Sequence, residues 1–178
     1  MPTVAAEKLV QLGSDIFTAR GASPEESRII SNSLVESNLA GHDSHGVIRI
    51  PSYIEKLDSG GINPGAELTV VSDASNAVTL DGNWGFGQVM ARRAMETAVE
   101  RAADSAIFAA TLRRVDHIGR LGEYSALAAE KGFVGIIMSN GHGAGQLIAP
   151  HGGKEARLAT TPISICAPAG DEPPVLLD

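Results

Sequence analysis

The chain has 178 residues, with 14 Lys and Arg against 21 Asp and Glu, a formal net charge of −7, and 43% hydrophobic residues. That length suits one ordinary domain, or one domain and part of another; the apolar fraction excludes a disordered polyelectrolyte, and the acidic balance argues against a nucleic-acid partner, which requires a basic face. No apolar run approaches the ~20 residues of a membrane span, the amino terminus lacks an apolar signal core, and the single cysteine, Cys166, excludes an internal disulfide; a cytoplasmic location is expected.

Residues 3–20 read as a helix capped by Thr3, with Val4, Leu9, Leu12 and Ile16 as its apolar stripe and Gly21 as its stop. Ser23-Pro24-Glu25-Glu26 is a strong second start: a serine cap, proline at the first helical position and glutamate three after the cap. That helix carries Ile30, Leu34 and Val35 and fades at Gly41. A third helical stretch holds Val47, Ile50, Tyr53, Ile54 and Leu57, with Pro51 marking its first turn or a kink. Composition then shifts, predicting a helical segment over 1–66 and a mixed α/β domain over 67–178.

In the second part, residues 68–71 and 77–80 read as strands, 82–87 as a glycine-rich loop and 88–104 as a helix. Residues 107–112 and 133–139 read as buried strands flanking a helix over 121–131, which together predict a βαβ unit. Further strands are predicted over 163–167 and 175–177.

Three constellations carry candidate chemistry. In the first, Gly41-His42-Asp43-Ser44-His45-Gly46-Val47-Ile48-Arg49, Asp43 or Ser44 can polarise a histidine, the side chain that exchanges protons most readily near neutral pH. A helix starting near Gly46 would put His45, Arg49 and Tyr53 on one face, so that an arginine fork grips a carboxylate one turn from an imidazole. The competing reading is a polar helix cap with a surface arginine. In the second, Asp116-His117-Ile118-Gly119-Arg120 lies between a strand and a helix, where open α/β sheets place ligands; Asp116 could orient a histidine, although adjacent side chains often diverge, and the competing reading is a strand-to-helix turn with a polar cap. The third, Ser139-Asn140-Gly141-His142-Gly143-Ala144-Gly145-Gln146, can turn backbone N–H groups toward phosphate but fails the G-x-G-x-x-G pattern at Gln146. No metal is expected, since H-E-x-x-H and C-x-x-C are missing. A histidine hydrolase is disfavoured because Ser44 sits in no G-x-S-x-G elbow.

Taken together, Glu36-Ser37-Asn38-Leu39-Ala40-Gly41-His42-Asp43-Ser44-His45-Gly46, Arg49, Tyr53, Asp81-Gly82-Asn83-Trp84-Gly85-Phe86-Gly87-Gln88, His117-Ile118-Gly119, Ala149-Pro150-His151-Gly152-Gly153 and Thr161-Pro162-Ile163 resemble the malate/L-lactate dehydrogenase family of the non-Rossmann type. That family takes in ureidoglycolate, sulfolactate, diketogulonate and piperideine-2-carboxylate oxidoreductases. The resemblance implies an α/β fold with α+β character: a helical amino-terminal segment followed by a mixed-sheet, non-Rossmann dinucleotide-binding domain, here truncated to the amino-terminal half. It implies hydride transfer between NAD or NADP and a small 2-oxo or 2-hydroxy acid, in a homodimer. Carried over by motif, His45 and His117 are the candidate proton donor and acceptor. Ser44, Arg49 and Tyr53 would hold substrate, and Asn140, Thr161 and Pro162 would lie at the cofactor. Relatives more often carry asparagine where Thr161 stands. The alternative expectation is a non-catalytic fragment acting as a dimerisation or regulatory partner.

Overall fold

A computed structural model describes residues 3–141 and 145–178. The chain forms two compact units, Met1–Arg120 and Leu121–Asp178. The architecture is mixed α/β: helices lead, and two three-stranded sheets follow.

The first unit begins with α1 (Ala6–Ala19) and α2 (Pro24–Leu39). The expected cap at Thr3 is displaced: Ala5 takes the cap position in extended conformation with no side-chain bond, so the helix starts later. The expected stripe is also rotated, because Val4 and Leu12 are exposed while Gly13 and Phe17 are buried. The cause is close helix approach, since a Cβ on Gly13 would lie 2.7 Å from the Ser31 hydroxyl of α2. At α2 the local signals act as read. Ser23 accepts from the Glu26 N–H, Glu26 accepts from the Ser23 N–H, and Pro24 opens the first turn. Glu26 also reaches forward to accept from the Gly65 N–H at 2.9 Å, tying the helix start to a distant turn.

The next segment is not a helix from Gly46. Two 3-10 turns, Asp43–His45 and Val47–Arg49, precede α3 (Ile50–Asp58), with Pro51 in its first turn. Strands β1 (Thr69–Asp73), β2 (Ala77–Gly85) and β3 (Ala109–Val115) form one sheet in that order, β1–β2 antiparallel and β2–β3 parallel. The parallel pair is joined through α4 (Gly87–Ala102), which packs on both strands. The crossover unit is therefore β2–α4–β3 rather than the predicted one, whose two strands belong to different sheets. β3 is an edge strand and mostly exposed, not buried as its apolar run suggested. Phe17, Ile30, Leu34, Tyr53, Ile62, Phe86, Val89 and Met90 share one core, so leading helices and α4 are packed together across the compositional shift at residue 66.

Residues 82–87, expected as a loop, mostly continue β2 to Gly85. Asn83 and Trp84 lie in the left-handed region (φ 49° and 59°), and the β2–β3 register slips between Asp81 and Gly85. Asp81 pins this irregular strand: it accepts from the Asn83 N–H, from Arg113 at 3.1 Å and from Arg114 at 2.9 Å. The Arg114 hydrogen bond holds its carboxyl below the usual range, against the opposing effect of desolvation.

The second unit consists of α5 (Gly122–Glu130) and an antiparallel sheet of β4 (Gly135–Met138), β5 (Ile163–Ala169) and β6 (Glu172–Leu177) in the order β4-β5-β6. The helix covers one face: the hydroxyls of Ser125 and Ser164 meet at 2.8 Å, and a Cβ on Gly135 would lie 2.5 Å from the Ser125 carbonyl. Cys166 is buried on that face, and burial pushes its thiol up.

Candidate functional site

The site grows from the turn between α2 and α3. Asn38, near the end of α2, accepts from the Val47 N–H at 2.9 Å and donates to Asp43 at 2.6 Å. It fills the space beneath Gly46, where a Cβ would lie 2.2 Å from the Asn38 amide oxygen, so only glycine allows this closure. The two short turns then present Ser44, His45 and Arg49. The Ser44 hydroxyl lies 2.9 Å from His45 Nδ1. Arg49 Nε donates to the Ser44 carbonyl at 2.6 Å, leaving the terminal guanidinium nitrogens facing elsewhere. Asp43, considered as a partner for histidine, is committed to Asn38 instead.

His117 comes from the segment after β3. The start of α4 clasps this segment: a Cβ on Gly87 would fall 2.2 Å from the His117 carbonyl oxygen and 2.4 Å from that of Asp116. Those contacts are with backbone, which cannot swing away as a side chain does. Gly119, at φ 77°, turns the chain onward.

Sixty-four residues apart in sequence, Tyr53 and His117 meet with the hydroxyl 2.7 Å from Nδ1. Gln88 Nε2 donates to the same hydroxyl at 2.7 Å. Both Tyr53 and Gln88 are 1% exposed. The His117 ring stacks on His45, with centroids 5.3 Å apart and planes 27° apart. Asp116 pairs with the Lys56 ammonium rather than with His117, and its second oxygen is buried without a partner among the described residues.

Electrostatics follow from this packing. Burial first, then the charges of Arg49 and His45, push the His117 pKa from 6.5 down to about 4; Lys56 acts in the same direction and Asp116 opposes it. Burial likewise raises the Tyr53 phenol well above its ordinary value of 10, against the Gln88 hydrogen bond. At neutral pH the centre therefore presents a neutral imidazole and a neutral phenol beside a guanidinium.

In the second unit, Asn140, Thr161 and Pro162 gather at one end of the β4–β5 pair. Met138 pairs with Ile163, and the Ser139 N–H donates to the Pro162 carbonyl at 3.3 Å. Asn140, Thr161 and Pro162 are exposed, so an amide and a hydroxyl stand open at a strand end. His142, Gly143 and Ala144 of the third constellation lie outside the described residues. The 149–153 segment is a turn, with the Gly153 N–H donating to the Pro150 carbonyl and Gly152 at φ 74°. Among the described residues no group of three or more His, Cys, Asp and Glu is placed to hold a metal ion, and no helix is long and apolar enough to cross a membrane.

Residues 4–178 match a family model described as malate/L-lactate dehydrogenase. The chain belongs to the malate/L-lactate dehydrogenase family. It is 36% identical over 175 residues to a malate dehydrogenase of Pyrococcus horikoshii, covering 98% of this chain and 48% of the relative. It is 37% identical over 163 residues to hydroxycarboxylate dehydrogenase B of Escherichia coli O157:H7, covering 92% and 45% respectively. The solved malate dehydrogenase of Pyrococcus horikoshii OT3 superposes with a TM-score of 0.94 at 35% identity, covering 99% of this chain and 49% of that one. The chain thus spans about half the length of these relatives.

For this member of the malate/L-lactate dehydrogenase family, sequence reasoning missed the supporting roles of Asn38, Lys56 and Gln88. Asn38 and Gln88 stand in the motifs that carried the resemblance, but neither had a role read from its type. The available signal for Gln88 was a glutamine opening an otherwise apolar helix face, a position that burial makes costly without a partner. The glycines of 82–87, read as a glycine-rich loop, serve packing: a Cβ on Gly82 would meet Val115 at 2.2 Å, and one on Gly85 would meet Met90 at 2.5 Å.

Proposed function

We propose that this chain supplies the acid–base and carboxylate-holding residues of a 2-hydroxy acid dehydrogenase, exchanging hydride between NAD(P)H and a small 2-oxo acid or its cyclic imine analogue. The observation that carries this reading is the stacked His45–His117 pair with the Arg49 charge bearing on it. Arg49 grips the substrate carboxylate with its terminal nitrogens while Ser44 holds Nε in place. His45, steadied through Nδ1 by the Ser44 hydroxyl, and His117, steadied by Tyr53, exchange the proton at the substrate oxygen. Tyr53, whose hydroxyl is already engaged, acts through His117. A carboxylate on Arg49 cancels part of the charge that depresses His117 and so moves its pKa back toward the working range, which is where a general acid or base is most effective. The nicotinamide cofactor, held with the help of Asn140, Thr161 and Pro162, supplies the hydride chemistry when bound. A cytoplasmic homodimer accompanies this reading.

A second reading, a non-catalytic dimerisation or regulatory partner, is favoured by the exposed apolar residues of β4–β6, among them Met138, Val175 and Leu177. Titration with NADH and NADPH separates the two: saturable binding supports the dehydrogenase, and none supports the partner. In the active protein, Arg49→Ala is expected to raise KM for 2-oxo acids roughly 10–100-fold, the worth of hydrogen bonds to a charged group. Undiminished turnover in a His45→Ala, His117→Ala double variant would overturn the assignment.

A further inference from the structure

We propose that Gln88, acting through Tyr53, is a positioning residue that fixes which ring nitrogen of His117 carries the proton, holding the neutral imidazole as its Nε2–H tautomer. The catalytic meaning of this relay rests on the dehydrogenase reading above; its structural basis does not.

The three polar groups form a chain with two self-consistent directions. In one, the Gln88 amide N–H donates to the Tyr53 oxygen, the Tyr53 O–H donates to His117 Nδ1, and the imidazole proton resides on Nε2. In the other, His117 Nδ1–H donates to Tyr53 and the phenol donates to the Gln88 amide oxygen. The phenol oxygen could accept from both neighbours, but its own buried O–H would then lack an acceptor among the described residues, so a donor at one end directs the Tyr53 proton to the other. The structure places the Gln88 nitrogen, a pure donor, 2.7 Å from the phenol oxygen, which selects the first. The Tyr53 proton is then directed to Nδ1 at 2.7 Å.

Gln88 is well suited to fix this choice because it is held in place. It is buried at the start of α4, 1% exposed, with its amide nitrogen bonded to the Tyr53 hydroxyl, and Gly119 packs beside it at ordinary contact distance. The groups facing His117 come from three segments: His45 and Arg49 from the paired turns, Tyr53 and Lys56 from α3, and its neighbour Asp116. Arg49, His45 and Lys56 all disfavour a second positive charge. The variable state of the ring near neutral pH is therefore its tautomer rather than its charge. With Nδ1 committed to Tyr53, Nε2–H is the nitrogen left to exchange a proton with His45 or substrate.

The test is the 15N chemical shifts of the His117 ring nitrogens in this chain at neutral pH, without substrate or cofactor. The expected result is a protonated Nε2 and a bare Nδ1. Gln88→Glu supplies an acceptor where the amide supplied a donor. At about pH 8.5, near the upper range to which burial lifts carboxyls, the chain should reverse and the proton should appear on Nδ1. A protonated Nδ1 in the parent chain, or the same tautomer in parent and Gln88→Glu, overturns the proposal. If Gln88→Glu does not fold, Tyr53→Phe keeps the ring and removes the relay; the His117 titration should then move upward, because a hydrogen bond favouring the neutral imidazole is gone. An unmoved titration overturns the proposal equally. Because tautomer and turnover are read separately, an intact relay in a protein without dehydrogenase activity refutes the functional reading alone, and a wrong tautomer in an active enzyme refutes the relay alone.

Discussion

The first unit buries Phe17, Tyr53, Phe86 and Met90 together with the polar ends of Tyr53 and Gln88, whereas the second leaves Ile136, Met138, Ile163, Val175 and Leu177 on an uncovered sheet face. Cross-strand register makes this a continuous face: Ile136 opposes Ile165, Met138 opposes Ile163, and Ile165 opposes Leu177. The difference shows how the work is divided. The cluster of His45, Tyr53, Gln88 and His117 is supported from below by aromatic core, so its side chains are held by packing as well as by hydrogen bonds. The second unit has one covered face, where α5 lies, and one apolar face of the kind that marks an interaction surface.

The largest expected effect strikes the support itself. Phe17 packs against Tyr53 at 6.3 Å and against Phe86 at 6.0 Å between ring centroids. Phe17→Ala should therefore cost about 3–5 kcal/mol in chemical denaturation, and should loosen Tyr53 enough to disturb its bond to His117. A cost under about 1 kcal/mol would mean that the first unit is not the well-packed body described.

A smaller effect is set by pH. The folded His117 pKa, about 4, lies below its unfolded value of 6.5, so the unfolded chain binds the extra proton between them. Stability is undiminished above 6.5 and is lost as pH falls toward 4, by at most about 3 kcal/mol. Asp81, also lowered, contributes only in the more acid range below its ordinary 3.8. Urea midpoints measured across this range should decline in the parent chain and decline less in His117→Asn.

Legibility followed distance along the chain. The capping box of α2 and the glycine stops after α1 and α5 depend on neighbours a few residues away, and each was readable as such. Residues 107–112 and 133–139 were readable as strands, but their apolar runs carried no information about which sheet each joins; the parallel partner of β3 is β2, through α4. Within the site, Ser44, His45, Arg49 and His117 announced themselves by residue type. The engagement of Tyr53 with Gln88 and His117, and of Lys56 with Asp116, spans 35 to 64 residues and arises only when the core closes. A helix drawn from Gly46 was expected to put His45, Arg49 and Tyr53 on one face, but two 3-10 turns stand there instead. The Arg49 guanidinium is aimed by the Ser44 carbonyl, at the end of a 3-10 turn rather than within an α-helix.

The smallest expected effect tests the other side of the comparison. Val175 is 69% exposed on the open face of β6, opposite Ala167. Val175→Thr keeps the β-branched shape that strands favour and replaces a methyl by a hydroxyl. On a face that meets water, the change should alter stability by no more than about 0.5 kcal/mol, independent of protein concentration. A hydroxyl forced into an apolar interface loses its water without regaining a partner, at a cost of roughly 1–3 kcal/mol. A penalty of that size that grows with protein concentration would show that a second copy covers the face in solution, since only association makes stability depend on protomer concentration. The contrast between the two units would then belong to the isolated chain, and the apolar face of β4–β6 would be the seam of a homodimer.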